Sequence, residues 1–275
     1  MTTTLTEPVP PVAAARIPEP AARIGLRKTF ENTLTLAYRG LLKIKHNPEQ
    51  LFDVVIQPVI FTLMFTYIFG GAISGDVKSY LPVIIPGILV QTVVMTSVVT
   101  GVQLKEDMEK GVFDRFKSLP IARIAALSGA LTADMVRYGI ASVLTVVMGF
   151  IMGYRPEPAG VLLAVLLVVA CSFATSWIWA FFGVIANKAS AVQGYSMLVM
   201  FPLTFASPAF VPKETMPGWL QAFIDVNPVS HLVWACRDLM NSGHIGIHVL
   251  WSLVGAAAIV AVFAPLTVRA YMRRA

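Results

Sequence analysis

The chain has 275 residues, 56% of them hydrophobic and 13% charged, with a mean hydropathy of +0.72. A soluble domain carries about 25% charged residues, so this composition excludes one and makes lipid the main solvent. The net charge of +6 sits at the borders of apolar runs, not on an aromatic-interleaved face, which argues for anionic lipid and against nucleic acid.

Residues 1–25 carry Pro8, Pro10, Pro11, Pro18 and Pro20 and no apolar core segment, so they are expected to form a disordered cytoplasmic tail, not a signal peptide. From 26 to 45, Leu26, Phe30, Leu34, Ala37, Leu41 and Ile44 recur at helical steps among Arg27, Lys28, Arg39, Lys43 and Lys45. That pattern predicts a basic amphipathic helix lying in the membrane interface, either as a simple anchor or as a docking element. Asn47-Pro48 then breaks it and starts the next helix.

Six runs follow without Asp, Glu, Lys or Arg: Val54–Gly75, Ser79–Leu104, Tyr138–Tyr154, Pro158–Asn187, Ala189–Pro212 and Leu239–Val268. Each is long enough, or nearly so, to cross about 30 Å of hydrocarbon. The runs are continuous instead of alternating, which selects helices over a barrel. An all-α membrane protein with six transmembrane helices is therefore expected. Most Lys and Arg fall in 1–50, 105–123, at Lys188 and in 269–274, whereas Lys78, Arg155, Lys213 and Arg237 fall on the other side. The positive-inside rule then puts both termini in the cytoplasm of a multi-pass plasma-membrane protein. Too little chain remains for a second folded domain of about 100 residues, so any energy-supplying domain is expected on another polypeptide. Cys171 and Cys236 are read as small packing residues.

The segment Lys105–Arg123 is the one long charged loop expected inside the cell. Met108, Val112, Phe116 and Leu119 share one side at helical spacing, acids come early and bases late, and Pro120 closes the pattern. A short helix along the membrane, suited to a soluble partner's grip, is one reading; a solvated connection is the other.

In the third span Asp134 and Arg137 are three residues apart, on one helical face. An unpaired Arg at mid-membrane costs about 2.5–3.5 kcal/mol on insertion scales, so a pair is expected, as a structural ion pair or as a contact to substrate or to the charged loop. Phe61, Met64, Phe65, Met95, Trp177, Trp179, Met197 and Phe205 are candidates for an adaptable apolar path, against the plainer reading of lipid-facing or packed side chains. Pro58, Pro86, Pro202, Pro208 and Pro265 are candidate kinks.

Between Pro212 and Asn241, Trp219, Leu220, Phe223 and Ile224 precede Asn227-Pro228, and Leu232, Val233 and Trp234 follow it. Two short helices dipping into the outer leaflet as a re-entrant hairpin are expected. His231 is read as a hydrogen-bonded structural residue rather than a proton relay, and with no metal partners at ligand spacing no metal site is expected.

The ordered set Asn47-Pro-Glu-Gln-Leu-Phe52, Gln57-Pro58, Phe65-Thr-Tyr-Ile-Phe-Gly-Gly71, Pro86-Gly87, Glu109-Lys-Gly-Val-Phe-Asp-Arg-Phe-Lys-Ser-Leu-Pro-Ile121 and Asn227-Pro-Val-Ser-His231 resembles the type-2 permeases of ATP-binding-cassette exporters. Within them it looks most like the daunorubicin-resistance drug-efflux permeases of actinobacteria. The resemblance covers about residues 25–272 and implies a transmembrane domain over 26–275. It also implies two copies of an ATPase subunit and a second permease, identical or related, as partners. The phosphate-loop pattern G-x-x-x-x-G-K-[ST] is missing here, so ATP and Mg are expected on the partner and no cofactor or catalytic residue in this chain.

The resemblance further implies that the charged loop is the coupling helix, with Glu106, Glu109, Gly111, Phe113, Arg115, Phe116 and Leu119 facing the ATPase. The helix bearing Arg27, Lys28, Arg39 and Lys43 would be the connecting helix beside it. Phe65, Met95, Phe205 and His231 are candidates for the path of a small hydrophobic substrate, and the outer hairpin would cap that path. The expected function is export of a hydrophobic drug, antibiotic or lipid-like molecule; export of a polysaccharide or cell-wall precursor is the alternative. A lipid-modifying membrane enzyme is a third reading, disfavoured because the spans nearly lack acids.

Overall fold

A computed structural model of the chain describes residues 31, 33–38, 48–112 and 123–274. The expected tail, Arg27, Lys28, Arg39 and Lys43, and the coupling residues Phe113, Arg115, Phe116 and Leu119 lie outside the described residues. Among those described, every regular element is helical: α1 (Pro48–Ser74), α2 (Val77–Glu109), α3 (Arg123–Ile151), α4 (Pro158–Ile185), α5 (Ala189–Phe205), α6 (Gly218–Val226), α7 (Pro228–Ser242) and α8 (Ile247–Arg274), with a single 3-10 turn at Lys213–Thr215.

Local chemistry sets the boundaries. Gly75, at φ 79°, closes α1, and Asp76 starts α2 by accepting the Ser79 amide at 2.8 Å. The Ser79 hydroxyl, and after it the Ser79 amide, hold the Asp76 carboxyl below its ordinary pKa. Pro158 opens α4 at a position where its missing N–H is no loss.

Three expected runs differ from the helices formed. The run Tyr138–Tyr154 is only the second half of α3, which starts at Arg123, because charged residues on a buried face do not end a helix. The run Ala189–Pro212 yields a helix of 17 residues ending at Phe205. At 1.5 Å per residue that is about 25 Å, and the remaining segment turns back so that Ala209 and Phe210 pack in the core. The run Leu239–Val268 is broken by Gly243, which adopts φ 68° as the left-handed cap of α7. A search for charged residues cannot register that break, since Asn241, Ser242, Gly243 and His244 carry no formal charge.

Among the described residues, four helices are long and apolar enough to cross a membrane: Val77–Glu109, Leu127–Ile151, Pro158–Ile185 and Ile247–Arg273. A shorter apolar helix covers Val55–Gly71. Pro58, Pro86, Pro202 and Pro265 lie inside helices, whereas Pro208 lies in the turn after α5.

Helix α2 is the axis of the bundle, packed by α1, α3, α4, α5 and α7. Lipid supplies no hydrophobic drive between helices, so close backbone approach and interhelical hydrogen bonds carry the association. At the α2–α4 crossing Gly101 and Gly183 meet; a Cβ on Gly101 would lie 2.3 Å from the Trp179 carbonyl oxygen, and one on Gly183 2.5 Å from that of Gly101. One turn away the Trp179 indole N–H donates to Ser97 Oγ at 2.8 Å. Gly160 presses against the end of α7 so closely that a Cβ would lie 1.7 Å from the Leu239 oxygen.

Candidate functional site

Three places carry the polar chemistry of the bundle. The first is the end bearing the loop after α2. Helix α2 runs unbroken through Lys105 to Glu109, and Gly111, at φ 66°, ends it. Met108 and Val112 therefore do not share one continuous helical stripe, which corrects the expected amphipathic helix from Met108 onward: its first turn is the last turn of α2. Glu106 pairs with Lys110 at 3.5 Å on the surface.

Glu109 has a structural task besides any partner contact. Its Oε1 accepts the amide of Ala189 at 3.1 Å, the first residue of α5, where Lys188 provides no side-chain cap. Two segments 80 residues apart are thereby joined. Nearby, helical residues 33–38 pack on the start of α3: Thr33 Oγ1 and Ser128 Oγ are 3.0 Å apart, and a Cβ on Gly129 would meet Leu36 Cβ at 2.7 Å. The described part of the amphipathic segment thus lies against protein, with Ala37 buried.

The second place is the ion pair inside α3. Arg137 Nη1 donates to Asp134 Oδ1 at 3.2 Å, with Arg137 2% exposed and Asp134 6%. Arg137 Nε is buried without a hydrogen-bond partner. The adjacent Tyr138 hydroxyl and Thr100 Oγ1 are 2.8 Å apart, tying α3 to α2 beside the pair.

The third place is α7 and its neighbours. Asn227, between α6 and α7, accepts the Val229 amide at 3.0 Å, while its own amide donates to the carbonyls of Leu203 at 2.7 Å and Ala206 at 3.0 Å. The start of α7 is thus sewn to the end of α5. Arg237 donates to the backbone oxygens of Val83 at 3.1 Å and Ala209 at 3.3 Å, and also to that of Pro208. Tyr80 donates to the Phe210 carbonyl.

His231 is hydrogen-bonded through both ring nitrogens. Its Nε2 lies 3.0 Å from the Asp225 carbonyl oxygen and must carry the proton, so its Nδ1 accepts from the Nδ1–H of His248 at 3.1 Å. Burial first, and His248 second, push the His231 pKa below its ordinary value. Trp234 and Trp251 flank the pair, with ring centroids 4.8 Å from His248 and 6.2 Å from His231 respectively. No group of three metal-ligating side chains occurs among the described residues.

The aromatic candidates separate. Phe65 and Phe205 both stack on Phe210, at 4.3 and 5.7 Å, in a ladder that continues through Phe61 and Phe201. Met95 is half-buried against the core of α2, and Trp179 is fully buried. Phe210, His248 and the clamping role of Arg237 escaped the sequence reading, because their partners lie far off in the chain and no local spacing marks them.

Four helices long and apolar enough to cross a membrane, packed through close glycine crossings around a buried ion pair, make this a polytopic membrane protein. Residues 31–241 match the family model of the ABC-2 type transporter, and the chain belongs to that family. It is 46% identical over 248 residues to the daunorubicin resistance ABC transporter permease protein DrrB1 of Streptomyces coeruleorubidus, covering 88% of this chain and 86% of that one. It is also 23% identical over 174 residues, 61% of each chain, to the probable doxorubicin resistance ABC transporter permease protein DrrC of Mycobacterium tuberculosis.

Proposed function

We propose that this chain is the membrane-spanning subunit of an exporter that moves a hydrophobic drug or antibiotic out of the cell, using ATP hydrolysed with Mg on a separate ATPase subunit. The observation that carries this reading is the 46% identity to a daunorubicin-resistance permease along nearly the whole chain. In this reading the bundle crosses the membrane six times, with α1 and α5 joining the four longer spans and both termini on the ATPase side of the plasma membrane. Helices α6 and α7 form the outer re-entrant hairpin, held shut by Asn227 and Arg237. Two ATPase copies dock on the loop after α2, with Glu106, Glu109 and Gly111 at its base and Phe113, Arg115, Phe116 and Leu119 beyond, and beside the basic segment of Arg27, Lys28, Arg39 and Lys43.

A second permease, a copy or a relative, completes the path. The ladder of Phe61, Phe65, Phe210, Phe205 and Phe201 joins α1 to α5, and Phe201 is 59% exposed, so this face supplies a flat apolar wall for a partner helix or a planar substrate. The test is purification of the tagged chain in mild detergent, followed by mass spectrometry and drug-uptake assays in inverted vesicles. Co-purification of a phosphate-loop ATPase and ATP-dependent uptake of an anthracycline are expected. A complex with the ATPase that transports only a polymeric glycan would overturn the drug reading.

A further inference from the structure

A cavity of about 240 Å³ lies inside the subunit, between α2, α4, α5, α7 and α8. Val94, Cys171, Trp179, Met200 and Leu232 form its buried floor. Its rim is half-buried, at Thr175 and Ile178 on α4, Leu203 on α5, and Ala256 and Ile259 on α8. Helix α8 packs against α4 and α7 but does not pair with α5, so the cavity is the gap left between α5 and α8.

The wall chemistry restricts the guest. Every side-chain polar group in the wall already has a protein partner. Thr175 Oγ1 donates to the Ser172 oxygen at 3.0 Å, Ser252 Oγ to that of His248 at 2.8 Å, Cys171 Sγ to that of Ser252 at 3.7 Å, and Trp179 Nε1 to Ser97 Oγ. A trapped water needs two to four polar partners, and a hydroxylated or cationic guest needs them as well. An apolar cavity of roughly 150 Å³ already stays dry and takes up benzene, so this larger one suits a purely hydrocarbon guest.

Shape and depth restrict it further. The α8 wall runs from Ser252 to Ile259, about 10 Å at 1.5 Å per residue. At the Ser252 end stand Trp251 and Trp234, residues of the kind that mark the headgroup level of a bilayer. The cavity therefore extends from the interface into the hydrocarbon, parallel to a lipid tail, with its half-buried rim on α4, α5 and α8.

We propose that this cavity holds one acyl chain of a membrane phospholipid, entering between α5 and α8 with the headgroup beside Trp251 and the histidine pair. The proposal does not rest on which molecule the complex exports. The permease complex would be reconstituted in vesicles of phosphatidylcholine and phosphatidylglycerol containing a trace of phosphatidylcholine with a mid-chain diazirine, then irradiated and mapped by tandem mass spectrometry. Label is expected on Cys171, Met200 or Ser252, besides the general labelling of outward residues such as Leu162 and Leu198. Filling the gap with Ala256→Phe, or from the opposite wall with Thr175→Phe, is expected to remove the inner label while leaving the outward label unchanged. Labelling confined to outward residues in the wild-type complex, or inner labelling unchanged in both variants, would overturn the proposal. So would a protein cross-link showing that a helix of the second permease fills the gap.

Discussion

Replacement of Glu109 separates two tasks that one carboxylate performs. Its Oε1 caps the amide of Ala189 at 3.1 Å, and the charge stands at the N-terminus of α5, where the helix dipole favours an anion. Loss of an N-cap acceptor costs about 1 kcal/mol, and loss of charge alone about 0.3–1 kcal/mol at an exposed site. Glu109→Ala removes both, whereas Glu109→Gln keeps an acceptor oxygen. A free-energy change of about 1 kcal/mol is roughly a fivefold change in an opening equilibrium. With both lost, about 1.3–2 kcal/mol, amide hydrogen exchange over residues 189–192 is therefore expected to quicken roughly ten- to thirtyfold in Glu109→Ala and about two- to fivefold in Glu109→Gln. In proteoliposomes with the ATPase, drug transported per ATP hydrolysed should fall in the same order, because α5 no longer moves as one piece with the loop after α2. Unchanged exchange in Glu109→Ala would refute the capping role. Equal uncoupling by Gln and Ala with normal exchange would instead put the whole effect on the ATPase contact.

Three further outcomes follow from the geometry. Gly160→Val should abolish assembly of a detergent-stable bundle, judged by size-exclusion chromatography, since even a Cβ would lie 1.7 Å from the Leu239 oxygen, while Gly194→Ala, with nothing within 4 Å, should be silent. Arg137→Leu removes the buried Arg137 bond to Asp134 and should lower thermal or denaturant stability, with part of the loss recovered in the Asp134→Asn, Arg137→Leu double variant; unchanged stability in Arg137→Leu would show that the pair is unimportant for the fold. The His231 pKa is depressed in the folded state, so the unfolded chain takes up its proton first as pH falls. The contribution of the neutral pair is thus fully present above the ordinary histidine pKa and declines as pH drops below about 6.5. Tryptophan fluorescence of the α7–α8 contact during an acid titration should show this, and His231→Phe should flatten it.

The order of residues alone places the chain in lipid as helices, because an uncharged, non-alternating run of about 20 residues satisfies its backbone in hydrocarbon within one helix. It also located the break at Asn227-Pro228 and the spacing of Asp134 and Arg137, since a cap followed by proline and an i, i+3 pair are local facts. The remaining features arise from contacts between distant segments. Where a run stops being one helix depended on Gly243 in a left-handed cap and on the turn that returns Ala209 and Phe210 to the core, neither of which introduces a charged residue. That Glu109 caps a helix 80 residues away, that Arg237 binds three backbone carbonyls, and that His231 meets His248 required the bundle to close first. Such contacts join positions distant in the chain, and the periodicity of a helix informs only on neighbours within about two turns. The apolar cavity is of the same kind: each wall residue is an ordinary membrane-helix residue, and only the failure of α5 and α8 to pair makes a space of them.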